Sequence, residues 1–112
     1  MAATFDKDGA MDRVDGDVEL LKSLIDICKV QCKSRLGAME NLLRNESIGG
    51  IASHAHAIKG SLGNVGAESA SAVAARLEAA AKEGDEGEVS SLLASLQVEV
   101  DEFFEVADEE LS

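Results

Sequence analysis

The chain has 112 residues, enough for one domain with its own core and too few for two. Acidic residues outnumber basic ones by 22 to 10, and the net charge of -12 argues against nucleic acid or an anionic membrane as the main partner, while leaving a basic protein partner open. Hydrophobic residues make up 46% of the chain, aromatics only 3%, and proline is absent, a balance that favours helices over a sandwich or barrel.

The opening MAATFDKDGAMDRVDGD has no basic start leading into an apolar stretch, so it is not a secretory signal, and no run reaches the roughly 20 apolar residues of a membrane span. The cytoplasm is the expected location. Asp8 to Val14 is read as a couple of helical turns, broken by Asp15, Gly16 and Asp17, with Asp17 capping the second helix. From Val18 to about Arg44 the apolar positions are Val18, Leu21, Ile25, Cys28, Cys32, Leu36, Met39 and Leu43. Steps of three and four sustained over that length predict a long amphipathic helix, with Gly37 a weak spot. Cys28 and Cys32 share its buried face; they could form half of a zinc site, but the chain has no third cysteine and they are read as small core thiols.

A third helix is predicted from about Ser47 to Val65, closed by Gly66 in the left-handed position. A fourth runs from about Glu68 to Lys82, with Val73, Ala74, Leu77 and Ala81 inward. Asp85, with Glu88 three residues later, reads as a capping box for a fifth helix ending near Glu110, whose stripe is Leu92, Leu96, Val100, Phe103 and Ala107. Each helix has one apolar stripe and none can bury it alone. The expected fold is all-α: an antiparallel four-helix bundle with a short additional N-terminal helix, forming a single domain over 1–112 with its core between about 5 and 110.

The third helix carries both histidines, two residues apart. Ile51, Ala55, Ile58, Leu62 and Val65 form its core face. On a helical wheel His54 lies about 60° to one side of that stripe and His56 about 140° round the other way. Residues two apart do not face each other on a helix, so the pair is a poor chelate and no metal site is expected. His54 is read as an edge residue bonded to a neighbouring helix. Ser61, on the same side, is expected to satisfy a backbone carbonyl or pack at a helix contact.

His56 shares its side with Ala52, Lys59, Gly60 and Gly63. Two glycines inside a helix each cost about 1 kcal/mol against alanine, and here they strip bulk from beside an imidazole. Lys59, one turn on, disfavours the imidazolium and would offset negative charge delivered to the ring. Neutral imidazole is a good nucleophile. A bare approach, a nucleophilic ring and a nearby cation fit phosphoryl transfer, which needs little beyond positioning and charge compensation. No P-loop or nucleotide motif accompanies them, so the chain is not expected to use ATP itself. An exposed histidine is also commonly mere surface, and wheel geometry alone leaves both readings standing.

HAIKGSLGNVGA, starting at His56, resembles the motif of the histidine-containing phosphotransfer (HPt) domain of bacterial two-component phosphorelays: histidine, two residues, Lys-Gly-Ser, then Gly-Ala. GDVELLKSLIDIC is similar to the opening of that family's second helix, and ARLEAAAKEGD to its helix after the motif. The likeness spans about Phe5 to Glu110. It implies that His56 is phosphorylated at Nε2, that Lys59 assists the phosphorylated state, and that Gly60 and Gly63 keep the docking face open. It gives Ser61 and Gly66 structural roles. Glu78 falls where some members carry a glutamine beside the active histidine; a carboxylate there would repel a phosphoryl group unless it turned aside or paired with Lys59. The implied partners are a receiver domain, bringing its own aspartate and magnesium ion, and a sensor or hybrid histidine kinase. The chain itself is expected to be a monomeric carrier without cofactor or kinase activity. A docking module without chemistry is the competing reading; a metal-holding bundle is disfavoured because the inward stripes are aliphatic.

Overall fold

The computed structural model describes residues 2–112. It has five α-helices: α1, Lys7–Arg13; α2, Val18–Arg44; α3, Ile51–Asn64; α4, Glu68–Glu83; and α5, Glu86–Leu111. No strand occurs among the described residues. Helices α2 to α5 pack as an up-down bundle in which α3 touches α2 and α4, α5 touches α4 and α2, and α1 leans on α2. None of the helices is long and apolar enough to cross a membrane.

The helix starts follow the side chains available to cap them. Asp17 accepts from the Leu20 N–H at 3.1 Å, and α2 runs from Val18 to Arg44 as its stripe predicts. Asp85 accepts from the Glu88 N–H at 3.1 Å and opens α5. The return arm of the expected capping box is missing. The Asp85 N–H already donates to Ala80 O, because Gly84 closes α4 in the left-handed region at φ 73°, and the Glu88 carboxylate lies beside Arg76 instead. The short first helix starts one residue before the expected Asp8, because Asp6 caps it through the Gly9 N–H at 3.1 Å.

The third helix begins later than the expected Ser47, at the first residue of its apolar stripe. Ile48–Gly50 forms a separate 3-10 turn, and α3 starts at Ile51. Ser47 makes no side-chain cap bond there. The turn lies close against the end of α2: a Cβ on Gly50 would stand 3.2 Å from Leu42 Cδ1. The boundary falls at Gly49 and Gly50, two poor helix formers, the second of them lying against Leu42.

The core is mostly aliphatic, with Phe103 as its buried aromatic ring. Leu21, Met39, Ile51, Ile58, Leu62, Leu77, Leu96 and Phe103 are fully buried, one or more from each long helix. Each such side chain contributes about 1.5–3 kcal/mol by leaving water. Cys28 and Cys32 are buried among them with their sulfurs 3.9 Å apart, and the shared hydrogen bond together with burial pushes the Cys32 thiol up, so it stays protonated. Val73, expected inward, is only half-buried at the margin.

A strap precedes α1. Phe5 stacks edge-on against Phe103 at 5.5 Å, the Asp6 N–H donates to Gly66 O at 2.8 Å, and the Ser69 N–H donates to Ala3 O at 2.9 Å. The strap therefore lies over the α3–α4 turn. Gly66 has φ 83°, and a Cβ there would sit 2.6 Å from Asp6 O, so glycine is required both by conformation and by contact.

Candidate functional site

The site lies on the seam between α3 and α4, which run antiparallel. The seam is lined with small residues on both sides. A Cβ on Gly63 would meet Ser71 Oγ at 3.6 Å, and the Ser71 hydroxyl donates to Lys59 O at 2.9 Å. Ala70, Ala74 and Ala81 face the core from α4. With so little bulk between them the two helices come close. Seven residues along α4 from Ser71 lies Glu78, and seven back along α3 from Gly63 lies His56, so the antiparallel register brings these two side chains together.

His56 Nδ1 is 3.1 Å from Glu78 Oε2 and 3.2 Å from Oε1. Lys59 Nζ donates to Glu78 Oε1 at 3.0 Å, and Lys82 Nζ lies 3.0 Å from Oε2. Each carboxylate oxygen thus has its own ammonium group, and the imidazole edge faces both oxygens. The Glu78 side chain is only 11% exposed, against 66% for His56. Hydrogen bonds from Lys59 and then Lys82 hold the Glu78 carboxyl well below the usual carboxylate range, at about 2; burial opposes them, and His56 adds a smaller contribution in the same sense. Glu78 is therefore ionised across the physiological range.

An ionised carboxylate has no proton to donate. At this contact His56 Nδ1 is the donor, and the lone pair of the neutral ring lies on Nε2 at the opposite, outer edge. Nε2 makes no hydrogen bond among the described residues. Of the two arrangements expected for Glu78, it takes the pairing with Lys59, and its charge lies on the Nδ1 side of the ring, away from Nε2.

The other expected residues take different places. Gly60 is exposed, with nothing within 4 Å of where a Cβ would stand. Gly63 is less open: it is half-buried, and a Cβ there would meet Ser71 Oγ at ordinary contact distance. Ala52 is half-buried and packs at the core margin. Ser61 donates to Gln31 Oε1 at 3.0 Å and to Ala57 O at 3.3 Å, joining α3 to α2 and back-bonding its own helix. Gly66 closes α3 under the strap. His54 faces α2, where Arg35 Nη1 lies 3.1 Å from its Nδ1. The two histidines thus turn to opposite neighbours, and no group of three or more His, Cys, Asp or Glu among the described residues is placed to hold a metal ion. Sequence reasoning missed Lys82, although its position four residues after Glu78 on one helix was the available signal.

A family profile, the Hpt domain, matches residues 23–109. The phosphorelay intermediate protein rdeA of Dictyostelium discoideum is 28% identical over 102 residues, covering 91% of this chain and 40% of that protein. The chain thus spans less than half the length of this relative. No solved structure matches. With a profile match over most of its length, the chain belongs to the Hpt-domain family, the non-catalytic phosphoryl carriers of phosphorelays.

Proposed function

We propose that His56 is the phosphoryl acceptor and that it exchanges its phosphoryl group with the aspartate of a receiver domain. The observation that carries this reading is the Glu78 carboxylate on Nδ1. It fixes the tautomer with the lone pair on Nε2, at the exposed edge of the ring. In the forward step that lone pair attacks phosphorus, the P–N bond forms, and the P–O bond to the receiver's aspartyl oxygen breaks. The aspartate leaves as a carboxylate. The ring takes up positive charge, shared with Nδ1–H and stabilised by Glu78 alongside. In the reverse step the aspartate attacks and the ring recovers its lone pair. No proton changes hands, so no general base is needed, and the chain supplies orientation and charge only.

The surroundings support docking on this side. Gly60 leaves the approach to His56 open, and Ser53 and Asn64 beside it are exposed and short. On the adjoining helix, Leu20, Leu24 and Ile27 recur at helical spacing with exposures of 45%, 37% and 55%. A groove lined by Leu24, Ile27, Gln31, Ser61 and Asn64 joins this stripe to α3. Such an unpartnered apolar strip on the helix beside α3 fits a surface that a receiver covers during transfer.

The test is labelling by a phosphorylated receiver or its kinase. An acid-labile label on the wild type that is lost in His56→Gln is the expected result. Equal labelling of the His56→Gln variant would overturn the proposal. Intact binding and signalling with that variant would favour a docking module without chemistry.

A further inference from the structure

Glu78 holds two lysines, and phosphotransfer gives work to only one of them. Lys59 starts one turn after His56 on α3; Lys82 starts one turn after Glu78 on α4. They bind different oxygens, each at 3.0 Å. With His56 neutral, the carboxylate and two ammonium groups leave the cluster one positive charge in excess. Phosphorylation at Nε2 with Nδ1–H retained adds about two negative charges and one positive charge on the ring, so the cluster ends near neutrality. With a single lysine it would end negative beside a dianion.

The two lysines are not equivalent in what they can reach. Lys59 shares a helix face with His56, so a phosphoryl group on the ring draws it away from Glu78 Oε1. Lys82 is tied to Glu78 by the i, i+4 geometry of α4 and needs no contact with the phosphoryl group to stay where it is. Building on the phosphotransfer reading, we infer that Lys82 is a positioning residue that retains Glu78 on His56 Nδ1–H while Lys59 turns to the phosphoryl group. The low titration point of Glu78 is consistent with two cations acting on it together. Within hydrogen-bond reach of the Nδ1 edge, the charged groups are Glu78 itself and, on it, Lys59 from α3 and Lys82 from α4.

The experiment compares the wild type with Lys82→Met and Lys82→Arg in the full chain, using phosphoramidate as donor and long-range proton–nitrogen spectra of the His56 ring at mildly alkaline pH. Unphosphorylated Lys82→Met keeps the wild-type Nδ1–H signal, because Lys59 still sits on Glu78. Phosphorylated Lys82→Met loses the hydrogen-bonded Nδ1–H signature that the phosphorylated wild type retains. Transfer onward to a receiver slows about two- to fivefold, the range expected for an exposed ion pair. Lys82→Arg restores both readouts. In a Glu78→Gln background the Lys82→Met change has no further effect. An unchanged Nδ1–H signal in phosphorylated Lys82→Met, or the same slowing in the Glu78→Gln background, overturns the role of Lys82. Labelling that survives His56→Gln removes the underlying phosphotransfer reading instead, so the two failures are told apart.

Discussion

The two edges of α3 are built on different principles. Towards α2, the seam is closed by matched polar contacts: His54 with Arg35, and Ser61 with Gln31. Towards α4, it is closed by near absence of side chains, with Gly63 against Ser71, and then opens onto one dense charged cluster around Glu78. Two histidines only two residues apart therefore live in unlike settings. One is partly covered and bonded to a cation. The other is exposed at Nε2 and fixed at Nδ1 by an anion. The difference shows that neighbouring positions in sequence acquire separate chemistry from the helices they face.

That contrast makes its sharpest prediction for the histidines themselves. His56→Gln is expected to abolish phosphoryl labelling, whereas His54→Gln keeps it; loss of labelling in both, seen on acid-treated and untreated gels, would break the distinction. The next largest effect belongs to Glu78. Glu78→Ala removes a charged hydrogen bond and is expected to slow labelling of His56 by about ten- to hundredfold, while Glu78→Gln, which keeps an acceptor, costs less. A phosphoramidate time course at wild-type rate for Glu78→Ala would show that the cluster orients nothing.

The glycines test the same comparison through stability. Gly63→Gln sends a long side chain past the Cβ position that the seam admits beside Ser71, and is expected to lower stability by about 1–3 kcal/mol. Gly60→Gln meets open space and is expected to raise stability by about 0.5–1 kcal/mol through helix propensity while weakening receiver binding. Thermal melts with matching shifts for both variants would erase the difference between the faces. The smallest effect is in acid. Because the folded-state carboxyl of Glu78 lies at about 2, below its ordinary 4.5, the stability it contributes is present above pH 4.5 and is lost as pH falls through about 2. The gap in melting temperature between the wild type and Glu78→Gln should therefore narrow over that window, and a constant gap would show that the charge is not responsible.

Much of the fold and of the site is legible in the sequence because local chemistry decides it. Asp17 and Asp85 announce their helices, Gly66 ends one, and the α2 and α5 stripes reach the core as their spacing predicts. His56 and His54 separate on a wheel without any knowledge of their neighbours. The features that escape it depend on contacts between distant segments. Gly63 reads as part of an open face because a wheel does not show how near α4 lies. Lys82 reads as an ordinary last-turn lysine until Glu78 is placed against His56. The 3-10 turn at Ile48–Gly50 lies against the end of α2, a contact that periodicity does not carry.

The strap over the α3–α4 turn has a consequence for the order of assembly. Ala3 and Asp6 dock onto Ser69 and Gly66, so the strap has nothing to bind until a segment far along the chain is in place. Helices α3 and α4 need only close a tight turn to meet, whereas the strap must close a long loop, which is entropically slower to reward. Its docking is then a late event, and the Ser69 amide, whose acceptor is on the strap, serves as a clock for it. Pulsed hydrogen exchange should find that amide protected after those of the α3 interior; simultaneous protection would mean that strap and seam form as one unit.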